Sequence, residues 1–432
     1  MLKSGEITLK ARKRAFRECK RETKRARRRE VNYKMEDRLV AVVATNDHKV
    51  KVMKTLLHIP NDIVFSILSK LSIKSLKRFE CVCKSWSLLF DNHYFMTMYR
   101  NYLLSKDHSC YDDTSILLHT ASSPWDVGYW DDTFVLFCIF GDKFENKVQL
   151  DWPRSDSIKH LVTKYYSGFN ILSSGSVNGI LCLLCVMLQN VIMWNPSTKE
   201  VKVIPPSPIP IDGRGYRSFN IHGFGYDPVK DDYKLLRHVQ NVESYKRFWE
   251  IYSLRSNSWR KLDVDMPNEC RARIVQLYMD GLSHWMCKSE THNENYLLSF
   301  DWSNEVFITT PIPSDMNDDM NDYRLVWSRL LLLNGSIALI LKHKETAIFH
   351  ISILGELGVK ESWTKIFIVG PLPSLEQLVG MGKKGDMFFK KKDGELVWFD
   401  LNTHIIKDLG VFTHSYYCKV VIHKENLLSF EG

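Results

Sequence analysis

The sequence lacks the features that mark several common protein classes. Its longest uninterrupted apolar run, residues 180–188, has nine residues, far fewer than the roughly 20 residues of a membrane-spanning helix. It contains no Gly-Gly pair, no G-x-S-x-G motif and no P-loop. These absences exclude a nucleophile elbow and a nucleotide-binding P-loop. We therefore expect no membrane span, and we find no local signature of a catalytic site.

Excess charge is confined to one end of the chain. The net charge is +9, but residues 1–34 contain 14 Lys or Arg and 4 Asp or Glu, so the rest of the chain carries −1. An excess held in one arm indicates a charged tail and not a basic binding surface on a fold. We do not expect nucleic acid among the partners.

The basic arm, residues 1–54, is predicted to be disordered because densely packed like charges repel and cannot bury a core. It contains a basic run of the kind that nuclear-import receptors read, and a solvated tail is the alternative. No apolar secretory segment opens the sequence, and its ten cysteines have the irregular spacing of reduced thiols. We expect an intracellular protein, in the nucleus and/or the cytoplasm.

A helical module is predicted over residues 55–102. Ile63, Ile67 and Leu71 recur on one helical face, and Pro60 stands at a helix start, where its missing N–H costs nothing. A second apolar stretch follows over residues 75–90. A module of about 45 residues cannot bury all this surface by itself. Another domain or a partner must cover part of it.

After a linker, residues 103–114, the pattern changes to short strands separated by polar turns, which predicts an all-β domain over residues 115–432. Strand-turn-strand segments recur at Asn195, Ser253, Asp301, Ile353 and Asp400, with gaps of 58, 48, 52 and 47 residues. A period of about 50 residues is typical of a four-stranded propeller blade. The length of the domain then predicts about six blades, and the run 416–430 would close the ring against strands near residues 116–140. A β-sandwich is the alternative.

Four weaker motifs favour structural roles. Residues 380–385 fit G-x-G-x-x-G but precede a strand, so they predict a turn and not a dinucleotide site. Cys182 and Cys185 lie on a strand and point to opposite faces, so they cannot share a metal. The acidic segment 315–322 lacks the glycine and glutamate of a calcium loop and is predicted to be a solvated loop. His284, Cys287 and His292 have no second ligand pair. No metal or cofactor is expected.

The helical module resembles an F-box over its whole length. The matching segments are an Ile-Pro start at residues 59–60, the apolar positions of residues 63–71, a Lys-Ser-Leu-Lys-Arg-Phe run at 74–79 and a Val-Cys-Lys-Ser-Trp block at 82–86. Ile59 replaces the usual leucine and Ser72 the common proline, and both departures are mild.

The β region is similar to the F-box-associated domain of plant F-box proteins. The similarity rests on Asn-Pro-Ser-Thr-Lys-Glu at residues 195–200, on Gly-Phe-Gly-Tyr-Asp-Pro at 223–228 with Asp-Tyr-Lys at 232–234, and on the segment 251–259. The two resemblances cover nearly everything after residue 56. The basic arm has no counterpart in them.

The resemblance implies a non-catalytic specificity subunit of an SCF (Skp-cullin-F-box) ubiquitin ligase. In that family the F-box binds a Skp-type adaptor, which joins a cullin and a RING protein, and the C-terminal domain captures a protein substrate. Carried over by motif, the adaptor-facing residues are Pro60, Ile63, Ile67, Leu68, Leu71, Leu76, Val82, Cys83, Lys84 and Trp86. The loop positions suggest five substrate-binding residues, Tyr216, Arg217, Tyr245, Arg247 and Tyr323. Leu71 and Trp86 fit a packing role equally well.

Two other classes stay open at this point. An F-box protein can act as a scaffold outside a ligase, which would bind the adaptor without a cullin. A propeller enzyme similar to copper oxidases would contain bound metal.

Deletion of residues 1–34 is expected to reduce nuclear accumulation, because it removes the basic run. Adaptor binding should be unchanged, since the predicted F-box is intact. Imaging of the tagged full chain and the deletion in cells checks this. An unchanged distribution would favour the solvated-tail interpretation.

Overall fold

The computed structural model describes residues 60–71, 73–79, 81, 86, 88, 92–104, 114–121, 134–141, 144–153, 169–185, 190–208, 217–241, 247–264, 276–289, 294–321, 325–343, 347–372, 374–382, 385–413 and 418–430. The predicted disordered arm lies outside them. The chain divides into two compact units, Met1–Lys70 and Leu71–Gly432. This division falls inside the helical module expected over residues 55–102, and the expected domain boundaries stay predictions.

Four α-helices are described. The first unit contains α1 (Asn61–Leu68), and the second contains α2 (Ile73–Phe79), α3 (His93–Leu104) and α4 (Ser314–Asn321). Helix α4 corrects the prediction of a solvated loop over residues 315–322. Met316 and Met320, 4% and 8% exposed, lie one helical turn apart and bury a shared apolar face, which favours a helix over a loop. None of the described helices is long and apolar enough to cross a membrane.

The described residues of the second unit contain 24 β-strands. They are β1 (Thr114–Ala121), β2 (Phe134–Phe140), β3 (Asn146–Leu150), β4 (Asn170–Ile171), β5 (Leu181–Cys185), β6 (Asn190–Trp194), β7 (Val201–Val203), β8 (Arg217–Asp227), β9 (Asp232–Asn241), β10 (Arg247–Ser253), β11 (Ser258–Leu262), β12 (Leu277–Met279), β13 (Leu282–Lys288), β14 (Asn295–Asp301), β15 (Val306–Pro311), β16 (Leu325–Leu333), β17 (Ser336–His343), β18 (Phe349–Leu354), β19 (Trp363–Val369), β20 (Leu375–Met381), β21 (Asp386–Lys391), β22 (Glu395–Asp400), β23 (Ile406–Phe412) and β24 (Cys418–Lys424).

These strands form six four-stranded antiparallel sheets, which we number from the N-terminus. The first sheet has the order β24-β1-β2-β3, and the others are the consecutive meanders β4–β7, β8–β11, β12–β15, β16–β19 and β20–β23. The C-terminal strand β24 therefore supplies the first strand of the first sheet, pairing from Thr114 with Lys424 to Thr120 with Cys418. The predicted propeller of about six blades and its closure by the C-terminal run are confirmed.

The core consists of six hydrophobic clusters, one between each pair of neighbouring sheets. Because side chains alternate along a strand, one strand can contribute to the clusters on both sides of it. In β21, for example, Met387 and Phe389 pack toward the fifth sheet and Phe388 toward the first. In β5, Cys182 is a buried free thiol facing the third sheet.

The sequence repeat corresponds to the turn between the third and fourth strands. In three sheets an Asn or Asp opens this turn and accepts the N–H of the residue two positions later, at 2.8 to 3.0 Å. Such Asx turns need no partner outside the turn. The residues that open these turns are Asn195, Asp301 and Asp400. The fifth residue of each turn has a positive φ, and these residues are Lys199 (65°), Glu305 (58°) and His404 (57°).

Tryptophans at the start of two outer strands connect neighbouring sheets. Trp259 Nε1 donates to the Pro205 carbonyl at 2.7 Å, and Trp363 Nε1 donates to the Pro311 carbonyl at 3.2 Å. Each proline follows or ends the outer strand of the preceding sheet. The sequence pairs Ser258-Trp259 and Ser362-Trp363 therefore mark contacts between blades.

Two glycines in β8 allow the fourth sheet to pack directly on the backbone of the third. A Cβ at Gly225 would lie 2.0 Å from Nε1 of Trp302, and a Cβ at Gly223 would lie 2.6 Å from Cζ2 of Trp285. Trp302 is fully buried and cannot move aside without leaving the core. The Gly-Phe-Gly motif is thus required by packing between blades.

Gly225→Ala is expected to lower the free energy of unfolding by about 1–3 kcal/mol or more, the usual cost of overpacking a core. Gly175→Ala is the matched control, since its Cβ would make an ordinary 3.5 Å contact with the Ile422 carbonyl oxygen. Denaturant unfolding of the full chain measures both. Equal stability of the two variants would contradict the proposed packing.

Candidate functional site

Helix α1 begins where the sequence predicts. Pro60 has the extended conformation of an N-terminal cap, with φ −54° and ψ 143°, and its carbonyl accepts the Ile63 and Val64 amides, both at 3.1 Å. Asp62 in the first turn interacts favourably with the positive end of the helix dipole. The helix ends at Leu68, where Ser69 Oγ donates to the Ser66 carbonyl at 3.1 Å.

One side of α1 presents apolar side chains to solvent. Ile63 and Ile67 are 48% and 56% exposed, and their spacing of four residues places them side by side on the helix. Pro60 is exposed next to them in sequence, whereas Leu68 is 3% exposed. An exposed isoleucine pair on a short helix is the kind of surface that a protein partner covers.

The other residues predicted to face the adaptor are placed differently. Leu76 of α2 is fully buried, and Leu71 and Trp86 are partly buried. Trp86 meets Phe79 edge to face, with ring centroids 5.2 Å apart. Val82, Cys83 and Lys84 lie outside the described residues. The assignment of these six residues, and of Leu68, to the adaptor surface stays a prediction.

The propeller has two distinct faces. In an antiparallel meander, the connection from the first to the second strand and the connection from the third to the fourth strand lie at the same end of the sheet. Parallel bridges between first-strand segments of different sheets show that these ends point the same way around the ring. We call this end the short-turn face. It is defined by the Asn-Gly or Asp-Gly pairs at 178–179, 280–281 and 334–335 and by the Asx turns. The opposite end, where first strands begin, is the loop face.

Helix α3 is attached to the short-turn face. The Arg100 guanidinium pairs with Asp231 in the turn between β8 and β9, and Tyr226 donates its hydroxyl proton to Asp231 Oδ1 at 2.5 Å. Burial, together with the hydrogen bond and charge of Asp231, raises the pKa of Tyr226 to about 12. Arg100 and Asp231 are 131 residues apart, and no local pattern indicates their contact.

Two of the residues predicted to bind substrate begin strands at the loop face. Arg217 begins β8 and pairs in register with Asn241, and Arg247 begins β10 and pairs with Gln240. The topology therefore brings the starts of these strands to one end of the third sheet. The side chains of both arginines, and the whole of Tyr216, Tyr245 and Tyr323, lie outside what the structure describes, so a role in substrate binding stays a prediction.

A buried ion network links the short turns of the third and fourth sheets. Lys234 Nζ lies 2.6 Å from Asp227 Oδ2 and 2.8 Å from Glu305 Oε1, and it donates to the Trp302 carbonyl at 2.9 Å. Ser303 Oγ donates to Asp227 Oδ1 at 2.9 Å. The Asp-Pro and Asp-Tyr-Lys motifs of the sequence supply the Asp227–Lys234 pair, whereas Glu305 comes from the next blade.

The network favours the charged forms of its carboxylates. Burial alone would raise the pKa of Asp227, but hydrogen bonds from Lys234, the Lys230 amide and Ser303 outweigh it and hold that pKa below its ordinary value. In the same way, hydrogen bonds and charges of Arg260 and Lys234 overcome burial and lower the pKa of Glu305. The carboxylates in this part of the short-turn face are therefore balanced by neighbouring cations.

Within the described residues no cluster of three or more His, Cys, Asp or Glu side chains is arranged to hold a metal. His284 is fully buried, its Nδ1 lies 2.8 Å from Ser299 Oγ, and burial lowers its pKa to about 4. Cys287 is disulfide-bonded, which differs from the reduced thiol expected there. His292 and the side chain of Cys185 lie outside the described residues.

The six four-stranded sheets, preceded in sequence by a short helix with an exposed apolar face, define a β-propeller protein. The chain belongs to the family with an F-box associated beta propeller domain, whose profile matches residues 147–429. The profile of the F-box domain matches residues 56–97. The F-box thus precedes the propeller, as the motifs predict.

Similar proteins from Arabidopsis thaliana are F-box proteins. A putative F-box protein is 26% identical over 258 residues, 59% of this chain and 61% of that protein. F-box protein CPR1 is 26% identical over 55% of this chain and 63% of its own length. F-box/WD-40 repeat-containing protein 1 is 25% identical over 72% of this chain and 68% of its own length. This chain therefore spans about three fifths of the length of the first two relatives.

Solved structures show a more distant likeness. The match to the crystal structure of TolB from Acinetobacter baumannii covers 72% of this chain and 67% of the TolB chain, with a TM-score of 0.43 and 10% identity. The match to a chain of a nidogen/laminin complex covers 72% of this chain and 99% of that chain, with a TM-score of 0.35 and 10% identity. At these values the likeness carries no conclusion about function.

Lys234→Met is expected to lower the free energy of unfolding by about 3–5 kcal/mol, because it leaves Asp227 and Glu305 without their shared buried cation. Lys230→Met is the matched control. Its ammonium is 3.8 Å from Glu305 and 57% exposed, so its loss should cost less than about 1 kcal/mol. Equal destabilisation in denaturant unfolding would contradict the role given to Lys234.

The same network should make stability depend on pH. Since Asp227 and Glu305 have lowered pKa values in the folded state, their contribution is complete above the pKa values of the unfolded chain, near 4, and is lost as pH falls below them. In Lys234→Met the decrease in the free energy of unfolding at acid pH should be smaller. Unfolding curves measured between pH 3 and 7 test this.

Proposed function

We propose that this chain is the substrate-recognition subunit of an SCF (Skp-cullin-F-box) ubiquitin ligase. Its F-box binds a Skp-type adaptor, which joins a cullin and a RING protein, and its propeller captures the protein to be ubiquitinated. The chain itself is non-catalytic in this proposal, and the transfer chemistry belongs to other subunits. Its location is the nucleus and/or the cytoplasm.

The observation that carries the proposal is the exposed pair Ile63 and Ile67, 48% and 56% exposed on α1, inside the segment that matches the F-box profile. Apolar area removed from water contributes about 25 cal/mol per Å². Two adjacent isoleucines at the centre of an interface would therefore act as anchors for the adaptor. Pro60 fixes the start of the helix that presents them.

The two faces of the propeller suit a receptor. Helix α3 is attached at Asp231 on the short-turn face, which leaves the opposite loop face for another partner. The six clusters between sheets make the ring a stiff platform, on which loops can vary without loss of the fold. A receptor of this kind accelerates transfer by raising the effective concentration of substrate lysines near the ubiquitin carrier.

Replacing both Ile63 and Ile67 with Asp is expected to weaken adaptor binding several hundredfold or more, since hot-spot anchors cost about 2 kcal/mol or more each. Ile368→Asp combined with Ile405→Asp is the matched control, because these isoleucines are 64% and 48% exposed on the propeller. Both double variants should fold, as exposed positions tolerate charge. Surface plasmon resonance with immobilised adaptor gives the affinities.

Adaptor affinity equal in the two double variants would refute the proposed docking surface. Co-purification of the native chain separates the ligase from the scaffold alternative. The proposal predicts recovery of adaptor, cullin and RING protein together, whereas recovery of adaptor without cullin would favour a scaffold.

A further inference from the structure

The segment that follows β24, residues 425–430, crosses the short-turn face of the second sheet, and we call it the C-terminal strap. Asn195, which opens the Asx turn of that sheet, donates through Nδ2 to the carbonyls of Asn426 and Leu428 at 3.0 and 3.1 Å. The Asn426 amide donates to Ser197 Oγ at 3.3 Å. The strap therefore ties the second sheet to β24, which belongs to the first sheet.

The side chain of Asn426 seats the strap on the turn before β5. It is fully buried, its Nδ2 donates to the Asn178 carbonyl, and its Oδ1 accepts the Leu428 amide at 2.6 Å. Gly179 lies so close to it that a Cβ there would meet the Asn426 Cβ at 2.3 Å. Loss of this side chain would leave buried backbone groups without their partners, which is costly.

The end of the strap reaches the cluster between the second and third sheets. Phe430 packs against this cluster, which contains Tyr226 and Tyr233, and Leu428 is 7% exposed. The ring centroids of Tyr226 and Tyr233 are 5.0 Å apart. The strap thus covers part of an aromatic cluster, and its removal would expose apolar area to water.

Helix α3 is anchored at the same cluster. The Tyr226 ring packs within it, whereas the Tyr226 hydroxyl donates to Asp231 Oδ1 at 2.5 Å, and Asp231 pairs with Arg100 of α3. Asp231 has a φ of 52°, a left-handed conformation that residues other than glycine adopt at a cost. Tyr226 therefore connects the cluster that the strap covers with the anchor of α3.

The strap is held in a way that allows it to open locally. Strand β24 ends at Lys424, so the contacts of the strap are side-chain hydrogen bonds and the packing of Phe430. Ser429 is exposed and donates to Glu200 Oε1 at 2.6 Å. A chain segment held in this way opens at a lower free energy than the sheets. The strap can therefore lift while β24 and β1 keep the ring closed.

We propose that the C-terminal strap is a conformational device that fixes α3 to the propeller. With the strap in place, Phe430 keeps water from the cluster, Tyr226 stays packed and Asp231 is presented to Arg100. When the strap lifts, the cluster loses its cover and the anchor of α3 loosens. The segment after the last strand thus controls how firmly a helix that precedes the propeller is held, whatever the adaptor or the substrate.

Hydrogen exchange of the full chain tests this device. The readout is the exchange rate of residues 97–104 of α3 relative to that of β20–β22, which reports global stability. Arg100→Ala sets the scale because it removes the anchor itself. It should raise the relative exchange rate about fivefold, the upper value for a partly exposed ion pair.

Asn426→Ala keeps the anchor residues and removes the hydrogen bonds that seat the strap. It should raise the relative exchange rate of residues 97–104 about threefold or more, since opening of the strap uncovers the cluster. Asn304→Ala is the matched control, because Asn304 is an exposed short-turn residue of the fourth sheet whose Nδ2 donates to Asp301 Oδ2 at 2.8 Å. Its effect should be less than about twofold.

Combining Arg100→Ala with Asn426→Ala shows whether the strap acts through the anchor. If it does, the combined effect falls short of the product of the two single effects, because the second change finds the anchor already lost. A combined effect equal to that product, or an effect of Asn426→Ala no larger than that of Asn304→Ala, would overturn the device.

If Asn426→Ala does not fold, Phe430→Ala takes its place, since Phe430 is only partly buried at the end of the strap. Its control is Phe412→Ala, which removes a phenylalanine that is 62% exposed on β23. Faster exchange of residues 97–104 in Phe430→Ala alone supports the device, and equal exchange in the two variants overturns it.

Discussion

The pairing of β24 with β1 is the interaction on which the rest of the structure depends. It joins the last described strand of the chain to the first across seven register pairs, from Thr114–Lys424 to Thr120–Cys418. Cys418 and Val420 of β24 belong to the cluster between the sixth and first sheets, and Val421 belongs to the next one. Without this strand two of the six clusters would lose part of their core, and the ring would have open edges.

Closure of the ring brings ion pairs from distant segments together on the short-turn face. On the short-turn face, Lys234 is matched by Asp227 and Glu305, and Arg100 by Asp231. These pairs connect α3 and the short turns of the third and fourth sheets.

The sequence predicts the architecture well where local chemistry repeats. The Asx turns at Asn195, Asp301 and Asp400 give a visible period because each turn is stabilised by its own side chain. The exposed stripe of α1 follows likewise from the spacing of Ile63 and Ile67. Such features need only neighbours along the chain, so a sequence pattern can reveal them.

The rest depends on contacts between distant segments. The Arg100–Asp231 pair spans 131 residues, and the Lys234–Glu305 pair joins two different sheets. The segment of α4 is predicted as a loop because it departs from a calcium-loop pattern, whereas Met316 and Met320 pack in the cluster between the fourth and fifth sheets. Tertiary packing overrides local composition in such cases.

Hydrogen exchange of the full chain, alone and bound to the Skp-type adaptor, tests the central claim that docking and recognition use separate surfaces. The account predicts slower exchange on adaptor binding within residues 61–79, and unchanged exchange at the loop-face ends of β8, β9 and β10. Protection of those strand ends by the adaptor, with none in α1, would contradict it.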